Sequence, residues 1–312
     1  PRRLDANVGD GCLGHDLMIL AASRVRNAFA NKLSYSRRMS AGRVDAIVFE
    51  HVSLAFDDHV VLRDLSFTVP KGSMRILFGV SGAGKSVILK LALGLLRPDS
   101  GTITVNGLRV DQMPEQELLK MRADIGMVFQ ENALFDSLTV AQNVAFRLTE
   151  DHNLTEAQID ERVDEVLGFV GLSEFSERMP SALSGGQRRR VGIARAMASK
   201  PQLLLFDDPI TGLDPLIATT IDDEIVKLRD LEDVTAMLVT HQIRDACYIA
   251  EHRAVRANDA VEVTKVDASE VEGVEFLMLL DGGIKFQGNA KELLTSRDPY
   301  LQEYLYKTLP PW

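Results

Sequence analysis

Cysteine is scarce. The 312 residues hold only Cys12 and Cys247, too few for a disulfide framework, so a reducing compartment suits the chain better than secretion. Basic charge is also in deficit. With 35 lysines and arginines against 45 acids the net charge is -10, which argues against a general nucleic-acid binder and its basic footprint. Long apolar runs are missing too. The best stretches, Val87–Leu96 and Leu277–Leu280, are short or broken by a lysine, and neither spans a bilayer. Any membrane role therefore passes through a partner. What remains, 46% hydrophobic and 26% charged residues, suits a soluble globular protein with a substantial core.

The first 44 residues differ from the rest, with seven arginines and one lysine against three aspartates. Met18, Ala22, Val25, Phe29 and Leu33 recur there at helical spacing, beside Arg24, Arg26 and Lys32. A basic surface helix, an organellar transit segment, an upstream-extended start and a poorly ordered tail all fit. The tail is the expectation adopted for residues 1–44.

From Val44 onward the pattern alternates. AIVFEHVSLAF and VLRDLSFTV read as short strands, and MRILFGV as a buried one. VILKLALGLL reads as a helix stopped by Arg97-Pro98, and TITVNG as a strand ending in an Asn-Gly turn. Residues 139–179 look mainly helical. LLLF and AMLVT are further buried strands with a helix between them. Strands alternating with helices indicate an α/β protein with a largely parallel sheet, present once because no internal repeat occurs.

GVSGAGKS, from Gly79 to Ser86, fits the phosphate-loop pattern. Gly82 and Gly84 let the backbone turn its N–H groups inward around phosphates, helped by the dipole of the following helix. Val80, Ser81, Ala83 and Val87 complete the binding stretch. Lys85 reaches the outer phosphates, and the Ser86 hydroxyl suits Mg²⁺. The apolar strand LLLF then ends in Asp207, a second Mg²⁺ contact that completes a phosphoryl-transfer apparatus. Asp208 follows at once; it is either the group that activates the attacking water or a cap on the turn before Pro209.

LSGGQRRRVGIARA, residues 183–196, narrows the choice. It resembles the signature of ATP-binding-cassette (ABC) ATPases in Ser184, Gly185, Gly186 and Gln187, although Ser184 also suits a plain helix cap. The resemblance covers about residues 45–290 and extends to further motifs. It implies that Gln130 in GMVFQ is the glutamine that touches metal and water, that Asp214 in TGLDP belongs to the loop between sites, and that His241 in LVTHQ is the switch histidine. Phe56 would stack on adenine, or else be an ordinary strand residue. The implied fold is a phosphate-loop NTPase with a RecA-like core, an antiparallel β subdomain and a helical subdomain at about 131–197, followed by a C-terminal helical extension over 291–312. Because the signature of one chain closes over the ATP of another, a second copy of the chain is expected.

VFQENALFDSLTVAQNVAF, MPSALSGGQRRRVGIARA, DPITGLDP and SRDPYLQEYL resemble the ATPases of Mla/MCE-type phospholipid transporters. That implies a multi-pass permease, an MCE-domain lipid-binding protein and a small STAS-domain subunit, with this chain on the cytoplasmic face of the inner membrane. Other cargo, such as an amino acid or a lipoprotein, stays open, as does a slow nucleotide-gated assembly module. Three departures stand out. Val87 replaces the threonine common after the loop serine, residues 253–275 are extra length read as a solvated β extension, and Asp208 replaces the usual glutamate. An aspartate carboxylate is retracted by roughly 1.5 Å, one C–C bond.

Overall fold

The computed structural model describes residues 44–130, 133–150, 154–232, 234–257 and 260–309. The N-terminal tail expected over residues 1–44 lies outside the described residues except for Val44. The described residues from Asp45 to Leu309 belong to one compact unit.

That unit opens with a long hairpin, β1 (Asp45–Phe56) and β2 (His59–Pro70). These two segments were expected to be short strands; each is twelve residues, because bulges let the register continue through His51 and Asp64. A buried strand, β3 (Met74–Phe78), leads through the glycine-rich loop into α1 (Lys85–Ala92). This helix stops at Leu93 and Gly94, whose N–H groups close onto Leu89 and Leu91. The stop expected at Arg97-Pro98 comes too late, since Gly94 already takes the left-handed conformation that ends a helix. β4 (Ser100–Val105) turns through Asn106-Gly107 into the short β5 (Leu108–Arg109), both turn residues having positive φ as a tight hairpin requires.

Next come α2 (Glu115–Ala123) and β6 (Ile125–Val128), then the helical segment α3 (Val140–Ala145), α4 (Glu156–Phe169) and α5 (Gly185–Ala198). Each of these three begins with a Ser or Thr capping box whose partner is a glutamine, at Thr139, Thr155 and Ser184. Between residues 139 and 179, single 3-10 turns interrupt the helices, so that stretch is less continuously helical than expected. β7 (Leu203–Asp207), α6 (Pro215–Leu231), β8 (Thr235–Val239) and α7 (Ile243–Glu251) complete two strand–helix units. A hairpin of β9 (His252–Ala257) and β10 (Ala260–Lys265) precedes β11 (Val274–Leu280) and β12 (Gly283–Gly288). The described chain ends with α8 (Ala290–Leu294) and α9 (Pro299–Thr308).

The main sheet has the order β12-β11-β3-β8-β7-β6, parallel except for β12. Its inner parallel strands are buried on both faces, as a covered parallel sheet demands, whereas the edge strand β12 is largely accessible. Alternate residues serve opposite cores. Ile76, Phe206 and Leu238 face one cluster with α3 to α7, while Leu77, Leu205 and Met237 face another with α1 and the antiparallel sheet β2-β1-β4-β5. The extra length at 253–275 proves to be only partly a solvated extension. Val263 and Ala254 pack on the helical-side core, and Val274 begins a central strand. Leu301 and Tyr304 of α9 join the same core.

Candidate active site

Four neighbouring parallel strands end at one level, with Leu77 beside Val239 and Asp207 beside Val239. Ligands of open α/β sheets bind at such carboxyl ends. The loop after β3 carries Gly79 to Ser86, the end of β7 carries Asp207 and Asp208, the residue pair after β8 is Thr240 and His241, and Phe129-Gln130 follow β6. Residues scattered over more than 160 positions thus arrive together because the sheet aligns them.

Gly79, Gly82 and Gly84 have positive φ, which turns the loop backbone over the start of α1. Val80, Ser81 and Gly82 are exposed, whereas Gly84 and Lys85 are buried. Lys85 Nζ donates to the carbonyls of Gly79 and Val80, both at 2.9 Å. Burial pushes its ammonium below the ordinary lysine pKa, with Asp208 and Asp207 pulling the other way. Ser86 Oγ donates to Asp207 Oδ1 at 2.7 Å. Burial holds the Asp207 carboxyl above its usual range, opposed by that hydrogen bond. A hydroxyl and a carboxylate side by side next to a phosphate cradle are the hard oxygen donors that Mg²⁺ prefers, one or two from protein and the rest from phosphate and water. The donor set fits the ion. Val87, half-buried, packs on the core that holds α1.

Asp208 does not cap the turn before Pro209 with its side chain. Its carboxylate accepts from Thr240 Oγ1 at 3.3 Å and lies 2.7 Å from His241 Nδ1. Its backbone sits at φ 51°, with its N–H on the carbonyl of Val239. Aspartate tolerates this left-handed conformation better than longer side chains do. Asp214 caps α6, its Oδ1 accepting from the N–H groups of Leu216 and Ile217 at 3.1 Å each. Ser184 caps α5 in a reciprocal pair with Gln187, at 3.2 and 2.8 Å. The helix-cap role weighed for Ser184 is therefore present, and Ser184 is also exposed. Gly185 is half-buried and Gly186 buried.

Phe56 ends β1 opposite His59 and is 45% exposed. Its hairpin lies against the phosphate loop, since a Cβ on Gly84 would meet Val61 Cγ1 at 2.9 Å. Gln130 is exposed, and its main chain is held from α5. Arg189, buried in the signature helix, donates to the carbonyls of Phe129, Gln130 and Thr211. Sequence reasoning missed both Arg189 and Thr240. Arg189 was hidden within a basic run that reads as a solvated face, and Thr240 had only its place beside His241 to mark it.

A phosphate loop after β3, an acidic pair after β7 and a capped glycine signature opening α5 define a phosphate-loop ATPase of the cassette type. A family model described as ABC transporter matches residues 62–211. The methionine import ATP-binding protein of Bifidobacterium longum is 41% identical over 216 residues, covering 67% of this chain and 54% of that protein. The sulfate/thiosulfate import ATP-binding protein of Mycobacterium tuberculosis is 39% identical over 241 residues, covering 77% of this chain and 67% of the relative. A dimeric ATP-binding cassette in a post-hydrolysis state with ADP and phosphate superimposes with a TM-score of 0.65 at 26% identity, over 78% of this chain and 98% of that one. This chain belongs to the ABC transporter ATP-binding family. It spans only about half to two thirds of the curated relatives it matches.

Proposed function

We propose that this chain is the ATP-hydrolysing motor of an ABC transporter, working as a two-fold pair on a separate membrane permease at the cytoplasmic face of the inner membrane. The observation that carries the reading is the convergence of Lys85, Ser86, Asp207, Asp208 and His241 at the carboxyl ends of β3, β7 and β8. Lys85, held among the carbonyls of Gly79 and Val80, is the group to neutralise the outer phosphates. Ser86 and Asp207, with the side chain of Gln130, would hold Mg²⁺, which spreads and neutralises phosphate charge when bound. Asp208 orients the attacking water and accepts its proton, and His241 fixes the carboxylate from the other side. Phe56 offers its exposed ring to adenine. Ser184, Gly185, Gly186, Gln187 and Asp214 serve the nucleotide held by the second copy. The test is phosphate release by the purified chain with ATP and Mg²⁺. Release at background that is unchanged by Asp207→Asn would sink the motor reading.

The permease side of the reading is supported by exposed aromatic side chains in the segment that follows β6. Phe129, Phe135 and Phe146 are each 40–43% exposed, and the rings of Phe135 and Phe146 lie 4.5 Å apart. Exposed apolar clusters of this kind mark contact surfaces. We assign phospholipid as the cargo, with an MCE-domain protein and a STAS-domain subunit in the complex. The support is the likeness of the segments around Gln130 and Ser184 and of the terminal SRDPYLQEYL to that transporter class. A second reading, import of a small solute, is favoured by relatives named for methionine and sulfate import. Purifying the chain with its membrane partners and identifying proteins and lipids by mass spectrometry separates the two. An MCE-domain protein with bound phospholipid supports the lipid reading, and a solute permease without lipid overturns it.

A further inference from the structure

Arg189 is 3% exposed and forms no ion pair among the described residues. Its guanidinium instead reaches three backbone carbonyls on two loops. One Nη donates to Phe129 at 2.7 Å and to Gln130, and the other to Thr211 at 3.4 Å. Its Nε has no partner. A cation sunk this deeply is costly to desolvate, and a shorter neutral amide, with a single nitrogen, does not span the two loops that its two Nη atoms join. Two features suggest why a cation stands here. The loops it joins are those on either side of the reacting groups, Gln130 after β6 and Thr211 after Asp208. The negative charge of Asp208 also acts on it and opposes the desolvation.

We infer that Arg189 is a positioning residue for hydrolysis, locking the Gln130 turn to the loop after Asp208 so that both move with the signature helix α5. The inference rests on the ATPase reading above and adds to it a physical link within one chain. The N-terminus of α5 would act on the nucleotide of the second copy, while the same helix, one turn further on, sets the water and metal side of its own site. A shift of α5 when the partner's nucleotide binds is thereby passed to Gln130 through hydrogen bonds to a charged group, stronger than those between neutral groups. Without the clamp, Gln130 and Asp208 lose their mutual register. Misplacement by about 1 Å costs on the order of 10²-fold in rate.

The test compares the full chain carrying Arg189→Gln, Arg189→Lys or Arg162→Gln with the wild type. Arg162 is the internal control, because it clamps the other end of the same helix through the carbonyls of Ala198 and Met197, at 3.0 and 2.8 Å. Three quantities are read: kcat and KM for ATP, the Mg²⁺ concentration for half-maximal hydrolysis, and amide hydrogen exchange over residues 127–130 and 209–213. Arg189→Gln is expected to lower kcat by roughly 10–100-fold with KM nearly constant, to raise the Mg²⁺ requirement, and to speed exchange in both loops. Arg189→Lys is expected to fall between. Arg162→Gln is expected to lower thermal stability while leaving the Mg²⁺ requirement and both loops as in the wild type. Wild-type kcat and loop protection in Arg189→Gln overturn the inference, as does an equal change of the Mg²⁺ requirement in Arg162→Gln. If Arg189→Gln does not fold, Arg189→Lys decides, and wild-type kcat and exchange there overturn the clamp. If the wild type hydrolyses nothing, the motor reading fails; the exchange comparison still decides whether Arg189 holds the two loops together.

Discussion

Asp208 stands at φ 51° with both carboxylate oxygens engaged, by Thr240 and His241. Asparagine accepts the same backbone conformation and keeps hydrogen-bonding capacity toward both neighbours. Asp208→Asn is therefore expected to fold with near wild-type stability, to bind ATP, and to lose at least ~10² in single-turnover hydrolysis. Asp208→Glu restores the reach of roughly 1.5 Å at the cost of a bulkier side chain at positive φ. It is expected to raise the rate, and a rate below that of the wild type would show that the shorter carboxylate is already well placed. A second residue-scale expectation concerns Asp222 on α6. Burial, with help from the charges of Asp245 and Asp223 and against that of Arg244, raises its pKa from 3.8 to about 9. The folded chain then holds a proton that the unfolded chain releases above its ordinary carboxylate pKa. Its contribution to stability is complete below about pH 4 and is lost as pH rises toward 9. Asp222→Asn removes that dependence, so its Tm should gain on the wild type progressively from pH 5 to pH 8.5. A constant difference over that range would contradict the assignment. The phosphate loop and Asp207 were legible from sequence because each is contiguous and its spacing is dictated by phosphate geometry. The Asp208–His241 contact was not legible, since it joins residues 33 positions apart through strand pairing.

Among the elements, α5 and α6 meet unusually closely. A Cβ on Gly186 would lie 2.2 Å from Ile217 Cγ2, whereas one on Gly185 would meet nothing nearer than Leu213 Cδ2 at 3.5 Å. Two adjacent glycines of one signature thus have different reasons to be glycine. Gly186→Ala is expected to destabilise by about 1–3 kcal/mol through overpacking, visible in thermal melts and relieved by adding Ile217→Ala. Gly185→Ala is expected to melt like the wild type and yet to lose activity if that glycine approaches the partner's nucleotide. The motif alone could not tell these two cases apart, because the discriminating neighbour lies on another helix. Element boundaries were misread where local signals competed. Gly94 ended α1 before the proline pair, and bulges carried β1 and β2 past His51 and Asp64. The alternation of strands and helices survived these errors, because apolar periodicity depends on which side of the sheet a residue faces and less on where an element stops.

For the whole molecule, the proposed two-fold pair has the signature and the phosphate loop of a single chain serve different nucleotides. The Asp208→Asn variant should accordingly elute as a dimer with ATP and Mg²⁺ and as a monomer when Mg²⁺ is chelated. A monomer under both conditions would remove the two-fold arrangement from the proposal. Among the described residues no helix is long and apolar enough to cross a membrane. Cargo was the least legible property, since in the proposed transporter it is chosen by a permease and not by this chain.

The strand order has a consequence for how the chain is made. β3, which presents the phosphate loop, pairs on its two sides with β8 and β11, and the second of these begins at Val274. At ~5–20 residues per second, a ribosome that has just finished β3 needs roughly 10–40 s more to supply its last neighbour. During that interval one edge or both edges of a strand that is apolar except for Arg75 stay unpaired, so nascent chains are exposed to chaperones and proteases for far longer than the mature protein. Any message truncated ahead of Val274 should yield a product that is degraded, even though every nucleotide-binding motif from Phe56 to His241 would already be present.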